Sequence, residues 1–298
     1  MPSLKEINQR IKEVENSYRS GEMDLTESTS IIEETLKEYV GEDRVIPISE
    51  YQMPVYDEKS SFFSGIKKLD DIFGKFKKGD IFTITAPTGQ GKSTFAREIF
   101  IRFAEQGKKC LYFSYEDRNE GFIEKLGKNL PEGYIPMILN DKSLTWIEAR
   151  VLEAILKYNV EIVFIDNLKS ITDFMARSVN NSIEFSMQRL KEIAMKYNIL
   201  IFLCAHIRKD ESKNIDINSI KDSSAIADIS SLVIALIREV EKSEYTNITS
   251  FSVIKNRNNG NLKRFKMNFI QAGVSGRFDE KVGDLKELAD EASNYHDR

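Results

Sequence analysis

Leu4, Ile7, Ile11, Val14 and Tyr18 recur at alternating three- and four-residue steps, the seam of an amphipathic helix that Ser20-Gly21 ends. A second helix is predicted over 25–39, with Leu25, Ile32, Leu36 and Tyr39 on one face and Gly41 just past its end. Residues 1–40 thus read as a helical hairpin, either packed on its own domain or reaching a neighbouring subunit as an arm. From 41 to 61 the periodicity lapses, and Pro47, Pro54 and scattered charges mark a linker. After Phe62 the pattern changes to short apolar runs separated by helical stretches. Strands are predicted at 81–85, 110–115, 162–166, 199–205, 232–237, 249–254 and 265–269; the main helices start near Lys92, Ser143, Ser182 and Ala225. The early runs predict an α/β fold with a doubly wound, mostly parallel sheet, and the last two read as antiparallel. Residues 279–298 are charged and read as a frayed helical tail.

At 298 residues the chain suits one large α/β domain over 62–278 and a small helical appendage. Its net charge of −4 advertises no global basic field, so any nucleic-acid contact must come from local loops. Cys110 and Cys204 lie in apolar runs and offer no disulfide framework, which predicts a reducing, cytoplasmic setting. With His206 and His296 the only histidines, a Cys/His zinc site is excluded. No apolar run approaches the roughly 20 residues that span a bilayer, and no signal-peptide core stands at the start, so no membrane partner is expected.

The decisive chemistry is the run Ala86-Pro87-Thr88-Gly89-Gln90-Gly91-Lys92-Ser93-Thr94, placed between an apolar strand and an amphipathic helix. Gly89 and Gly91 permit the backbone angles that turn successive N–H groups inward around an anion, and the following helix aims its positive end at the same phosphates. Lys92 is placed to reach the β- and γ-phosphates of ATP or another nucleoside triphosphate, and Ser93 to ligate Mg²⁺. The first consensus position is Ala86 rather than glycine, a relaxed turn residue. Downstream, Ile162-Val163-Phe164-Ile165-Asp166 is an apolar strand ending in a carboxylate, where Asp166 would hold Mg²⁺ through water opposite Ser93. Glu116 ends another strand on the ligand side of the sheet, placed to polarise the water attacking the γ-phosphate; Asp117 competes for that role.

Phe63-Ser64-Gly65-Ile66 with Leu69-Asp70, then the phosphate loop, then Phe113-Ser114-Tyr115-Glu116, resembles the RecA-type core of DnaB-family replicative helicases. Within that family it looks most like phage primase-helicases and mitochondrial Twinkle, because the fourth strand ends in Cys204-Ala205-His206-Ile207-Arg208-Lys209. The resemblance covers about 62–278 and implies a RecA-like ATPase core. It implies that His206 senses the γ-phosphate. It also implies that Lys255 and Arg257 in Lys255-Asn256-Arg257 reach the γ-phosphate of the adjacent subunit, and that Phe278 in Arg277-Phe278 belongs to the nucleotide site. Lys221 to Asp228, leading into Leu232, resembles the family's next block. In a RecA-type ring the segments 169–181 and 208–221 would line the channel, where Lys169, Arg177, Arg208, Lys209 and Lys213 are candidate contacts to single-stranded DNA. Six copies of such local charge would track phosphates even in an acidic protein.

The resemblance implies a homo-oligomer, expected to be a hexamer assembled through the helical arm, with a primase, polymerase or loader as possible partner and a bacterial or phage setting. The segment before Phe62 is shorter than the family's usual N-terminal domain, so primer synthesis is not expected. Two other readings remain open: a RecA/RadA-like recombination or repair ATPase forming filaments on DNA, and a KaiC-like regulatory or loader ATPase.

Overall fold

A computed structural model describes residues 4–40, 48–50, 61–127, 130–139, 141–172, 179–206, 224–272 and 275–280. The chain divides into two compact units, Met1–Tyr56 and Asp57–Arg298. In the first, α1 (Leu4–Ser20) packs on α2 (Leu25–Val40). The turn between them places Gly21 at φ 77°, and the Asp24 carboxylate caps α2 by accepting from the Glu27 N–H at 2.8 Å. Val14 is buried, as its place on the apolar seam requires.

The second unit begins with β1 (Ser61–Phe62), α3 (Lys67–Phe73) and β2 (Phe76–Lys77), a small antiparallel pair bracketing a helix. Asp70 closes that entrance, its carboxylate accepting from the Ser64 N–H and hydroxyl, both at 2.7 Å, and from the Gly65 N–H at 3.1 Å. The main elements then run β3 (Ile81–Ala86), α4 (Lys92–Glu105), β4 (Cys110–Ser114), α5 (Asn119–Leu126), β5 (Gly133–Tyr134), α6 (Leu144–Tyr158) and β6 (Ile162–Asp166). They continue through α7 (Leu168–Ile171), α8 (Val179–Lys196), β7 (Leu200–His206) and α9 (Ser224–Ile229) to β8 (Leu232–Glu241), β9 (Glu244–Asn256), β10 (Arg264–Ala272) and β11 (Ser275–Asp279).

Among the described residues nine strands form one sheet in the order β11-β10-β9-β8-β3-β7-β6-β4-β5. From β8 to β5 every pairing is parallel, and β9, β10 and β11 extend the sheet antiparallel. Every residue of β3 is buried, as a strand covered on both faces must be. Its side chains alternate between two cores: Phe82, Ile84 and Ala86 join an aromatic cluster with Phe95, Phe103 and Phe202, while Ile81 joins an aliphatic one with Val163, Leu203 and Leu190. The two faces are therefore both filled, and the chain leaves β3, β4, β6 and β7 at the same end of the sheet, because these strands run parallel.

Three differences from the expected elements have local causes. β9 is much longer than 249–254, because Lys242 and Ser243, both at positive φ, turn β8 directly back into a hairpin. The segment 169–181 is helical at both ends, where α7 and α8 take its residues. Asp279 is strand rather than tail, since β11 pairs with β10 through Phe269 and Phe278.

Candidate nucleotide-binding and catalytic site

β3 delivers the chain to the end of the sheet where the parallel strands finish, and the loop 87–91 turns it into α4. Gly89 and Gly91 take φ of 79° and 89°, a left-handed region in which a side chain would strain the loop. Ala86 is not among the residues at positive φ; it is the last residue of the strand, paired with His206, so a glycine there is unnecessary. Gly91 provides no side-chain cap to α4, which leaves the first N–H groups of a 14-residue helix for a phosphate to satisfy.

Three neighbouring strands end beside this loop. β6 brings Asp166, β4 brings Ser114 ahead of Glu116, and β7 brings His206. Lys92, only 4% exposed, points its ammonium at Asp166 Oδ1 (3.5 Å) and Glu116 Oε1 (3.7 Å). Burial alone would lower its pKa, and the neighbouring Cys204 together with the Asp166 and Glu116 carboxylates more than offsets that, so Lys92 stays above its ordinary value and charged. The Ser93 hydroxyl donates to Glu116 Oε2 at 3.1 Å, and Tyr112 donates to Asp166 Oδ2 at 3.3 Å. His206 Nε2 lies 2.9 Å from Glu116 Oε1. Since an ionised carboxylate only accepts, Nε2 carries the proton in that contact, and Nδ1, buried, has no partner among the described residues.

Glu116 is consequently held at about 2, mainly by the His206 hydrogen bond, with Lys92 and Ser93 adding to it against partial burial. It is ionised across the physiological range. The competing carboxylate faces elsewhere: Asp117 is clasped by Lys125 at 2.6 and 2.8 Å, with Arg97 at 3.9 Å. Geometry therefore favours Glu116 as the group that faces a bound phosphate.

A cavity of about 430 Å³ opens over the loop, lined by residues Pro87 to Thr94, Glu116, His206, Arg238, Thr249, Phe269 and Phe278. Arg238, Thr249 and Phe269 carry no local sequence signal; strand pairing in the antiparallel extension brings them here. Gln90 ties loop to extension, accepting from the Arg238 N–H at 2.8 Å and donating to the Tyr245 hydroxyl at 3.3 Å.

Comparison with known proteins bears on the fold that carries this site. A family model described as "ATPase: KaiC" matches residues 62–130. Over 151 residues, 48% of this chain and 32% of the relative, the sequence is 28% identical to DNA repair protein RadA of Campylobacter jejuni subsp. jejuni serotype O:2. Over 74 residues, 24% of this chain and 14% of the relative, it is 31% identical to circadian clock oscillator protein KaiC of Parathermosynechococcus lividus. The chain thus spans a third or less of the curated relatives it matches. Among solved structures, one isolated ATPase domain superposes with TM-score 0.65 at 17% identity, covering 73% of this chain and 90% of that one. A DnaB-like replicative helicase, solved in a study of its interactions with primase, superposes with TM-score 0.64 at 15% identity, covering 92% of this chain and 75% of that one.

The fold is that of a RecA-like P-loop ATPase.

Within this fold the remaining candidate residues scatter. Phe278 lies under the phosphate loop, its ring edge 3.9 Å from where a Cβ on Gly91 would stand, and it packs on Phe95, Phe251 and Phe269. Lys255 and Arg257 are together but at the opposite end of the sheet. The Arg257 N–H donates to the Ser231 carbonyl, and the Ser231 N–H donates to the carbonyl of Ile81, the first residue of β3. Ile81 and Ala86 are the two ends of a strand rising about 3.3 Å per residue, so roughly 16 Å separates Arg257's end from its own phosphate loop. There Arg257 donates to the Asp228 carbonyl at 2.6 Å, and Lys255 donates to the Ala227 and Asp228 carbonyls. Burial, with the Arg257 charge beside it, pushes Lys255 down to about 8. Lys169 is exposed on α7, just beyond the Asp166 strand end. Arg177, Arg208, Lys209 and Lys213 lie outside the described residues.

The oxygen donors fit a hard divalent cation. Ser93 and Asp166 converge on the loop, and Mg²⁺ characteristically takes one or two such protein oxygens and completes its shell with phosphate and water. Among the described residues no cluster of three or more His, Cys, Asp or Glu is arranged to hold a metal.

Proposed function

We propose that this protein is an ATP hydrolase that assembles as a ring and moves along single-stranded DNA as a replicative-type helicase. The observation that carries the reading is the division of the catalytic set between the two ends of one sheet. Lys92, Glu116, Ser93 and Asp166 lie at the phosphate-loop end, and Arg257 and Lys255 lie at the far end, roughly 16 Å from that loop. Stacking one copy against the next brings the Arg257 of one to the nucleotide of the other, which makes hydrolysis depend on assembly.

In the proposed reaction Lys92 and the N–H groups of the loop hold the β- and γ-phosphates. Mg²⁺, held through Ser93 and Asp166, would neutralise charge developing on them. Glu116 orients the attacking water and accepts its proton, and His206 follows the state of Glu116 through the bond they share. Arg257 from the neighbour spreads the transition-state charge over the equatorial oxygens. Single-strand contact falls to Lys169 and to the segments holding Arg177, Arg208, Lys209 and Lys213. A possible primase, polymerase or loader partner belongs to the same reading.

Electron microscopy with a non-hydrolysable ATP analogue and single-stranded DNA tests it, alongside unwinding of a forked duplex. Closed rings and ATP-dependent unwinding are expected. Continuous filaments without unwinding would transfer the protein to the second reading, a repair ATPase, which the RadA relative favours.

A further inference from the structure

Asn167 follows Asp166 at the end of β6, is only 4% exposed, and has no place in the sequence motifs. Its side chain faces two ways. Oδ1 accepts from the Ser170 N–H at 3.2 Å and so caps α7, the short helix that carries Lys169. Nδ2 donates to Glu116 Oε1 and stands 3.3 Å from His206 Nε2. The two partners fix the amide's orientation, because the flipped form would set oxygen against a carboxylate and NH₂ against a backbone N–H.

Glu116 is thus gripped at both oxygens: Oε1 by Asn167 and His206, Oε2 by Ser93. Ser93 is also the hydroxyl suited to Mg²⁺; were it to ligate the metal, Glu116 Oε2 would lose that partner and be free to face a phosphate. Oε1 keeps its anchors. We infer that Asn167 is a positioning residue for hydrolysis: its amide pins Glu116 Oε1 so that Oε2 meets the attacking water, and the same amide joins that carboxylate to α7. The inference rests on the reading of Glu116 as the base.

Serine and aspartate cap a helix as well as asparagine does, so both preserve α7 while altering only what faces Glu116. Serine removes the donor, and aspartate replaces it with a like charge. The test measures steady-state ATP hydrolysis by the full chain with Mg²⁺ and single-stranded DNA, together with affinity for a fluorescent ATP analogue. For Asn167→Ser the expected result is a kcat lower by about 10- to 100-fold with KM and analogue affinity within about twofold, the loss expected for one hydrogen bond to a charged group. Asn167→Asp should be slower still. Because both act through Glu116, adding Asn167→Ser to Glu116→Gln should cost little beyond Glu116→Gln alone.

A helix cap with no further role predicts equal, near-wild-type rates for both variants, and that result overturns the inference. So does a double variant that multiplies the two losses. A wild-type rate in Glu116→Gln overturns the base assignment itself, whereas a slow Glu116→Gln beside a wild-type Asn167→Ser overturns Asn167 alone.

Discussion

The two ends of the central sheet use charge in opposite ways. At the end where β3, β4, β6 and β7 stop, cation and anions satisfy one another: Lys92 with Asp166 and Glu116, Glu116 with Ser93 and His206. At the other end Lys255 and Arg257 sit side by side on main-chain carbonyls at the close of α9, and their mutual repulsion is part of what lowers Lys255. A self-consistent cluster persists in a single copy and waits for a ligand to rearrange it. Two adjacent cations on helix-terminal carbonyls gain most when an anion arrives from outside the chain. The first end therefore reads as a binding site and the second as half of one.

Breaking the first end has the largest expected effect. Lys92→Ala removes the lysine proposed to hold the transferred phosphate within its own subunit and should abolish turnover, measured as phosphate release, while the loop backbone still holds nucleotide weakly. Turnover at the wild-type rate would refute the phosphate-loop assignment.

Arg257→Ala tests whether the second end belongs to a neighbour's site, and it should lower turnover by about 10³-fold or more, as arginine fingers do. Mixing it with Lys92→Ala sharpens the comparison, because some interfaces then pair an intact loop with an intact arginine and regain activity. A mixture confirmed to co-assemble yet as inactive as either parent would remove the shared site.

A smaller loss separates the two adjacent carboxylates. Glu116→Gln should cut hydrolysis by about two to four orders of magnitude with nucleotide affinity kept, and Asp117→Asn, whose carboxylate is occupied by Lys125, should change it only a few-fold. The reverse ranking would mean that nucleotide binding re-sorts the loop after β4.

The same contrast explains how much could be read from sequence. The phosphate-loop end is built from contiguous runs: an apolar strand, a glycine-rich turn and a helix adjoin in the chain, so 81–105 announces itself, as do Asp166 and Glu116 at strand ends. Strand β11 did not, since Ser275-Gly276-Arg277-Phe278-Asp279 has one apolar residue, and it becomes strand only by pairing with β10. Arg238, Thr249 and Phe269 reach the cavity through that same long-range register. Asn167 was hidden for a different reason: an asparagine after a strand reads as turn chemistry, and its second partner, Glu116, is 51 residues away. Lys255 and Arg257 were legible as a motif, but their distance from their own loop follows from the hairpin pairing alone.

The smallest expected effect concerns the state in which the far end is held. Lys255, lowered from 10.5 to about 8 by burial first and by Arg257 second, is charged at neutral pH at some cost to the fold. Between about pH 8 and 10.5 the unfolded chain keeps a proton on this lysine that the folded chain has released, so stability rises with pH across that window. The relief is complete above 10.5 and is lost as pH falls through about 8. Other lysines titrate near the top of this range, and comparison with Lys255→Met removes their contribution. The wild-type Tm minus the variant Tm should therefore climb by about 1–3 °C from roughly pH 8 to 10, the modest size set by solvent screening of a half-exposed group. Saturating nucleotide should suppress the climb in assembled protein if Lys255 rests against a neighbour's phosphate, since an anion there restores the proton. A difference that stays flat over that pH range without nucleotide would mean that Lys255 is an ordinary solvated charge, and the far end would lose its claim to be half of a site built to receive an anion.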